Sequence, residues 1–360
     1  TLMGGAPVIT SEGRSFPVTP VFLDRSVPSH QRFETALADL VIQAVQDTTG
    51  GVLVFLPGER EIRRVEGLLK PVLPSDCHLR PLFGAMPFTD QQQAIAPAET
   101  GRKIVLSTAI AETSLTIEDI RVVVDGGLAR RARFDPGSGM SRLITEKLSR
   151  AEATQRMGRA GRVAPGTAYR LWTKGEDGAL PAFAPAEIEV ADLASLALEQ
   201  AVWGSAELPF LTPPPATALE EARNLLAGLG ALDADGRVTA HGRALSRLPL
   251  HPRLAHLLLC VGPQAAPLAA LLSARDPLRG APSDLALRLR ALAGRYDGPG
   301  SVNMSARSAI KDEARRLAKG LKGGPHRSLG QQAALAYPDR VGLRRPGDLP
   351  RYLLSGGKGA

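Results

Sequence analysis

The chain lacks several features that would have narrowed its reading at once. Its 360 residues hold no GxxxxGK[ST] loop to cradle phosphates and no acidic box after a strand to hold Mg²⁺. No apolar run approaches the roughly 20 residues needed to span a bilayer, so no membrane association is expected. The opening stretch, TLMGGAPVITSEGR, has no basic segment followed by an apolar one, and no secretory signal is visible in it. Cysteine is scarce, with Cys77 and Cys260 alone. That argues against a disulfide framework and points to a reducing, cytoplasmic compartment. Tryptophan is limited to Trp172 and Trp203, both expected to fill cores rather than stack on bases.

What is present suits a globular protein of two to four domains, with 44% hydrophobic residues. The net charge is +8, and much of the excess is arginine. Guanidinium groups suit phosphate backbones, so a polyanionic partner is one reading; the other is a general arginine bias accompanying abundant Ala, Gly and Pro. Two strings carry the most chemistry. QRMGRAGR at 155–162 places Gln155, Arg156, Arg159 and Arg162 around glycines that let backbone approach an anion. Phosphoryl transfer uses such fixed cations, because negative charge spreads over the transferring group. TAIAETSLTI at 108–117 is a Thr/Ser-rich turn after a strand, able to hold phosphate with hydroxyls and amides.

The hydrophobic pattern predicts an extended entry at 17–25, a helix over 31–48 and a buried strand from Val52 to Leu56, ended by Pro57-Gly58. A charged helix over 59–70 follows, then strands near 79–83, 103–107, 121–125 and 167–172, with a helix near 90–96. This alternation predicts a doubly wound parallel α/β domain ending near residue 180, with ligands at the carboxyl edge of its sheet. An insertion at 128–147 has two extended arms around a turn at 135–139, a β-hairpin carrying Arg130, Arg131 and Arg133. Those arginines suit nucleic acid, and the alternative is a solvated surface hairpin. Beyond 181, helices at 186–203 and 217–229 and a two-stranded wing turning at Asp235-Gly236 suggest a winged-helix module. From Pro252 to about 320 the pattern is helical, with a basic amphipathic stretch at 305–322 read as a solvated face, and the tail from about 331 is mixed.

In order along the chain, GVLVFLPGEREI (51–62), LFGAMPFTDQQQAI (82–95), KIVLSTAIAETSLTIEDIRVVVDGGLAR (103–130) and SRAEATQRMGRAGR (149–162) resemble the second RecA-like domain of DEAH-box, superfamily 2 helicases. GALDADGRVTAHGRALSRLPLHPRLAHLLL resembles the winged-helix wing running into the helical-bundle (ratchet) domain, and AYPDRVGLRRPGDLPRYLLSGGKGA is similar to the C-terminal region of HrpB-type bacterial helicases. The resemblance implies a multidomain α/β plus α architecture. Its expected parts are a linker remnant of the first RecA-like domain at 1–16, the second RecA-like domain at 17–180, a winged helix at 181–250, a bundle at 251–330 and the start of an HrpB-type region at 331–360. Thr1-Leu2 resembles the end of the motif closing the first RecA-like domain and the tail stops on GGKGA, so the chain is expected to be cut at both ends and, with only the finger lobe, inactive in hydrolysis by itself.

By the same resemblance, Gln155, Arg159 and Arg162 would face the γ-phosphate of ATP, the arginines as fingers on the transition state, with Gly158 beside the nucleotide. Arg156 would be structural. Thr108 and Thr113 would hold a nucleic-acid backbone, Ser114 would couple that contact to the nucleotide, and Asp119 would lie near its sugar or base. The backbone at Gly58 would touch a phosphate, and Arg130, Arg131 and Arg133 would sit where strands separate. ATP and Mg²⁺ are the implied cofactors, the Mg²⁺ ligands lying in the first RecA-like domain. The implied partners are single-stranded RNA and that domain in cis, the protein being a monomer. A non-hydrolysing binding module, or a motor on DNA or a DNA/RNA hybrid, remain the alternatives. Two positions depart from the family pattern: Ala109 stands where Asn is common, and Ala96 where an aromatic often stacks on adenine. His251 and His256 are five apart, out of register for metal ligation on one helical face, and are read as structural, as is Cys77 beside His78. The terminal GGKGA lacks the spacing and the Ser/Thr of a phosphate loop.

Overall fold

A run of five buried residues, Gly51–Phe55, forms the centre of a six-stranded sheet. The structure is a computed structural model and describes residues 4–10, 15–113, 117–135, 140–205, 208–347, 349 and 351–355. It divides into two compact units, one of Thr1–Arg133 with Ser141–Val190, the other of Phe134–Met140 with Ala191–Ala360.

In the first unit the strands are β1 (Val18–Leu23), β2 (Gly51–Phe55), β3 (Cys77–Leu82), β4 (Arg102–Ser107), β5 (Ile120–Asp125), the hairpin arms β6 (Leu128–Asp135) and β7 (Met140–Lys147) apart from Phe134, Asp135 and Met140, and β8 (Gly166–Thr173). The sheet order is β1-β8-β5-β2-β4-β3, every neighbouring pair being parallel. Helices α1 (Phe33–Asp47), α2 (Glu59–Leu69), α3 (Phe88–Ile95), α4 (Ile110–Thr113), α5 (Arg150–Met157), α6 (Lys174–Gly178) and α7 (Glu187–Val190) complete the unit. Apolar side chains on opposite faces of β2 enter two separate clusters, Val52 and Val54 joining Leu37 and Val41 of α1, while Leu53 and Phe55 join Val105 and Ala160. Burial on both faces is why the strand reads as a continuous apolar run rather than an alternating one.

Gly127 lets the chain leave β5 for the hairpin. Its φ of 73° and the Trp172 ring, 2.9 Å from where a Cβ would stand, both demand glycine. Ser149 and Glu152 form a capping box that starts α5, and Arg131 from the hairpin pairs with the same Glu152. The hairpin and the arginine motif thereby share one carboxylate.

The second unit contains α8 (Ala194–Trp203), α9 (Ala216–Gly228), α10 (Ala240–Ser246), α11 (Pro252–Val261), α12 (Ala266–Ser273), α13 (Leu285–Leu292), α14 (Met304–Ala318) and α15 (Leu329–Ala336). Two short antiparallel pairs join them, β9 (Leu278–Arg279) with β10 (Ser301–Val302), and β11 (Gly342–Arg344) with β12 (Tyr352–Leu354). A core of Leu254, Leu258, Leu268, Ile310 and Leu317 knits α11, α12 and α14 together.

Three expectations change here. The helix expected over 186–203 is two helices, because the Asp192 carboxylate accepts from the Ala194 amide at 2.8 Å and starts a new one. The expected two-stranded wing reduces, among the described residues, to a single bridge between Leu232 and Val238. Thr239 then caps α10, so HGRAL is helical. Trp172 is buried as expected, but Trp203, at the last residue of α8, is 78% exposed and fills no core.

Candidate functional site

The arginine motif occupies α5 and a tight 3₁₀ turn at Gly158–Gly161. Helical spacing sorts its residues. Ala153, Arg156 and Ala160 face inward, while Gln155, Gly158 and Arg162 are exposed. Arg156 is 1% exposed. Its Nε donates to Glu112 Oε2 at 3.1 Å, its Nη1 to Asp125 Oδ1 at 2.9 Å and to the Leu128 carbonyl at 3.2 Å, and its guanidinium lies 5.0 Å from the Phe55 ring centroid. Two carboxylates hold the charge of Arg156 above the ordinary arginine range despite its burial. Arg156 therefore ties α5 to the ends of β2 and β5 and to α4.

Arg159 donates from Nε to the Glu112 carbonyl at 2.8 Å, and from Nη2 to the same oxygen. Burial, with Arg162 alongside, pulls its guanidinium below the ordinary value. Gln155, Gly158, Arg159 and Arg162 line one cleft of about 250 Å³ together with Glu112. Burial pushes the Glu112 carboxyl up, against the pull of Arg156. Glu112 was not anticipated from the sequence, although it is the single acid in TAIAET. Its carboxylate holds one arginine of the motif and its carbonyl another, so the turn after β4 and the arginine motif are mechanically joined.

The motif does not sit wholly at the carboxyl edge, where ligands were expected. Arg156 meets Asp125, the last residue of β5, whereas the Gly161 carbonyl accepts from the Phe16 amide at 2.8 Å, just before β1. Ala160 lies against Gly166, which opens β8. α5 and its turn thus cross the sheet from the carboxyl edge to the amino edge. The cause is the tight contact at Gly161 and Gly166, where a Cβ would run into backbone.

At the carboxyl edge, Thr108 and Ala109 line a second cleft of about 280 Å³ with Leu56, Pro57, Arg130, Leu143 and Arg156. Gly58 precedes α2, and a Cβ there would meet the Arg130 guanidinium and the Glu61 carboxylate. An anion approaching Gly58 therefore meets Arg130 first. The hairpin arginines are largely neutralised within the fold. Arg130 pairs with Glu61 at 3.1 Å, Arg131 with Glu146 at 2.5 Å and with Glu152, and Arg133 with Glu146 at 2.6 Å. The backbone of Thr113 ends α4, while its side chain and the whole of Ser114 lie outside the described residues.

Asp119 lies apart from both clefts. It pairs with buried Lys103 at 2.6 Å, and Lys103 also donates to the Ala96 carbonyl at 2.8 Å. Asp119 and Ala96, the latter standing where the family often has an aromatic, are thus linked through one lysine. Ala96 lines an open groove of about 670 Å³ with Arg80, Asp90 and Glu99. A more apolar hollow of about 290 Å³, bounded by Phe33, Trp172 and Leu180, takes in none of the candidate site residues. Among the described residues no helix is long and apolar enough to cross a membrane.

Comparison with known proteins places this geometry. Residues 34–164 match the helicase conserved C-terminal domain, and residues 222–250 match the winged-helix helicase associated domain (HA2). The ATP-dependent RNA helicase HrpB of Escherichia coli is 40% identical over 99% of this chain and 43% of its own length. The pre-mRNA-splicing factor ATP-dependent RNA helicase prp22 of Schizosaccharomyces pombe is 36% identical over 70% of this chain and 22% of its own length. The crystal structure of the Escherichia coli DEAH/RHA helicase HrpB superposes with a TM-score of 0.86 at 39% identity, covering 100% of this chain and 45% of that one. The chain spans less than half the length of these relatives. Motifs, domain matches and fold agree, and the chain belongs to the DEAH-box helicase family, with similarity to HrpB along its whole length.

Proposed function

We propose that the chain acts as the C-terminal part of an ATP-dependent RNA helicase, with its arginine motif completing a nucleotide site whose phosphate loop belongs to another RecA-like lobe in cis. The observation that carries this reading is the cleft in which Gln155, Gly158, Arg159 and Arg162 converge on Glu112. Two guanidiniums, an amide and an exposed glycine suit a polyphosphate. They do not suit Mg²⁺. Among the described residues the group of three metal-capable side chains is His241, His256 and Cys260, none a carboxylate. The Mg²⁺ ligands are accordingly assigned to the nucleotide and the other lobe.

Bound ATP supplies the phosphoryl group that is transferred to water. Arg159, held by the Glu112 carbonyl, and exposed Arg162 place positive charge where negative charge develops, and the Gln155 amide orients the γ-phosphate and the attacking water. The cleft with Thr108, the backbone at Gly58, Thr113 and the three hairpin arginines form the nucleic-acid side. Ser114 would pass that contact to the nucleotide, with Glu112 as a second link. Contacts of this kind read phosphate rather than bases, so binding is expected without sequence preference. Asp119 is assigned to the nucleotide's sugar or base side, and Ala96 leaves base stacking weak. Within this reading 1–16 is linker, 17–180 the RecA-like lobe, 181–250 the winged helix, 251–330 the bundle and 331–360 the start of an HrpB-type region. A cytoplasmic setting accords with two cysteines kept as thiols, and a monomer is the favoured state.

The test compares ATP hydrolysis, with and without single-stranded RNA, by this chain and by the chain joined to an amino-terminal lobe bearing GxxxxGK[ST]. Hydrolysis by the joined protein alone, stimulated by RNA and reduced at least ~10³-fold by Arg159→Ala or Arg162→Ala, supports the reading. No hydrolysis by either form reduces the chain to a binding module, and stimulation by DNA alone moves the track from RNA.

A further inference from the structure

We propose that His241, His256 and Cys260 form a binding site for a divalent, thiophilic transition metal of the zinc type, fastening the helix after the wing to the first helix of the bundle. His256 and Cys260 are four apart on α11 and so point from one helical face. His241 is the second residue of α10, a helix fixed at its start by the Thr239 cap. All three residues lie within the second unit. His241 Nε2 stands 2.8 Å from His256 Nδ1, and Cys260 Sγ stands 3.8 Å from that same Nδ1. One atom from each residue falls within 4.8 Å of the others.

A tetrahedral zinc ion holds nitrogen at ~2.0–2.1 Å and sulfur at ~2.3 Å, so its ligands stand roughly 3.3–3.8 Å apart. The cysteine is already at that separation from His256, and the two imidazoles must part by about half an ångström. A hydrogen bond between two neutral imidazoles explains the short His–His distance by itself. It does not explain why a thiol completes the triangle, nor why the three side chains gather half-buried. Imidazole nitrogen and thiolate sulfur are both donors that zinc takes, and three protein ligands leave a fourth position to water.

The measurement is zinc binding by the chain without a polyhistidine tag, stripped with chelator and titrated against a chromophoric competitor, with cobalt as a spectroscopic stand-in. One equivalent should bind, and the cobalt form should show a thiolate-to-metal charge-transfer band with tetrahedral visible bands. Cys260→Ser, nearly isosteric, should erase that band and weaken zinc at least ~10-fold, the scale lost even with an outer partner of a metal ligand. His241→Gln should weaken zinc without erasing the band, and Cys77→Ser should change nothing. Zinc should raise the unfolding temperature of the parent chain but not of Cys260→Ser, whose far-ultraviolet circular dichroism stays that of the parent. No binding at micromolar free zinc, or equal binding by parent and Cys260→Ser, overturns the site.

Discussion

Arg156 and Arg162 share a motif and a side-chain chemistry, yet burial gives them different tasks. Arg156 is enclosed by Glu112, Asp125 and Phe55, and removing it strands two carboxylates away from water. Breaking a buried pair from one side costs about 3–5 kcal/mol, so Arg156→Met is expected to lower the urea midpoint sharply. Arg162→Ala, at an exposed position, is expected to shift stability by no more than about 0.5 kcal/mol. Similar midpoints for the two variants would remove the structural role given to Arg156. Glu152 supplies a pH prediction. Burial raises its carboxyl, but Ser149 and Arg131 more than offset this and hold it below the ordinary value of about 4.3. A depressed folded-state value means its stabilisation is complete above that ordinary value and is lost as pH falls through the folded one. Glu152→Gln keeps a capping-box side chain and should flatten the acid limb of stability below about pH 4.3, measured by urea unfolding at stepped pH.

At the scale of elements, the hairpin holds its arginines in ion pairs rather than presenting them bare. Glu146 takes both Arg131 and Arg133. Glu146→Gln should release positive charge and steepen the dependence of single-strand RNA binding on log salt by about one unit. An unchanged slope would detach the hairpin from the nucleic-acid side. The elements most legible in the sequence were those whose signal is local. β2 announced itself as an apolar run closed by Pro-Gly, and β6 and β7 as two extended arms around a turn. Gln155, Arg159 and Arg162 were legible as a group, since they stand together in one short string with glycines between them. The break at Asp192 and the cap at Thr239 were missed, because a short polar side chain outcompeted the helical or strand pattern around it. Glu112, Asp125 and the His241–His256–Cys260 triangle could not be read from spacing alone, since each depends on segments far apart in sequence meeting in the fold.

For the whole molecule, each of the two units carries its own apolar cluster, one around Leu37, Val52 and Val54, the other around Leu254, Leu258 and Leu268. Separate cores predict unfolding that is not two-state, and a calorimetric scan should show an enthalpy above its van't Hoff value. Coincidence of the two enthalpies would mean that the units melt as one. The two tryptophans make such a separation visible in light. Trp172 is enclosed in the first unit and Trp203 stands open in the second. Excited together, they should emit as a blue-shifted component that iodide cannot reach and a red-shifted one that it quenches. The chain therefore carries one natural dye in each half, and loss of the shielded signal would time the opening of the RecA-like unit without any label.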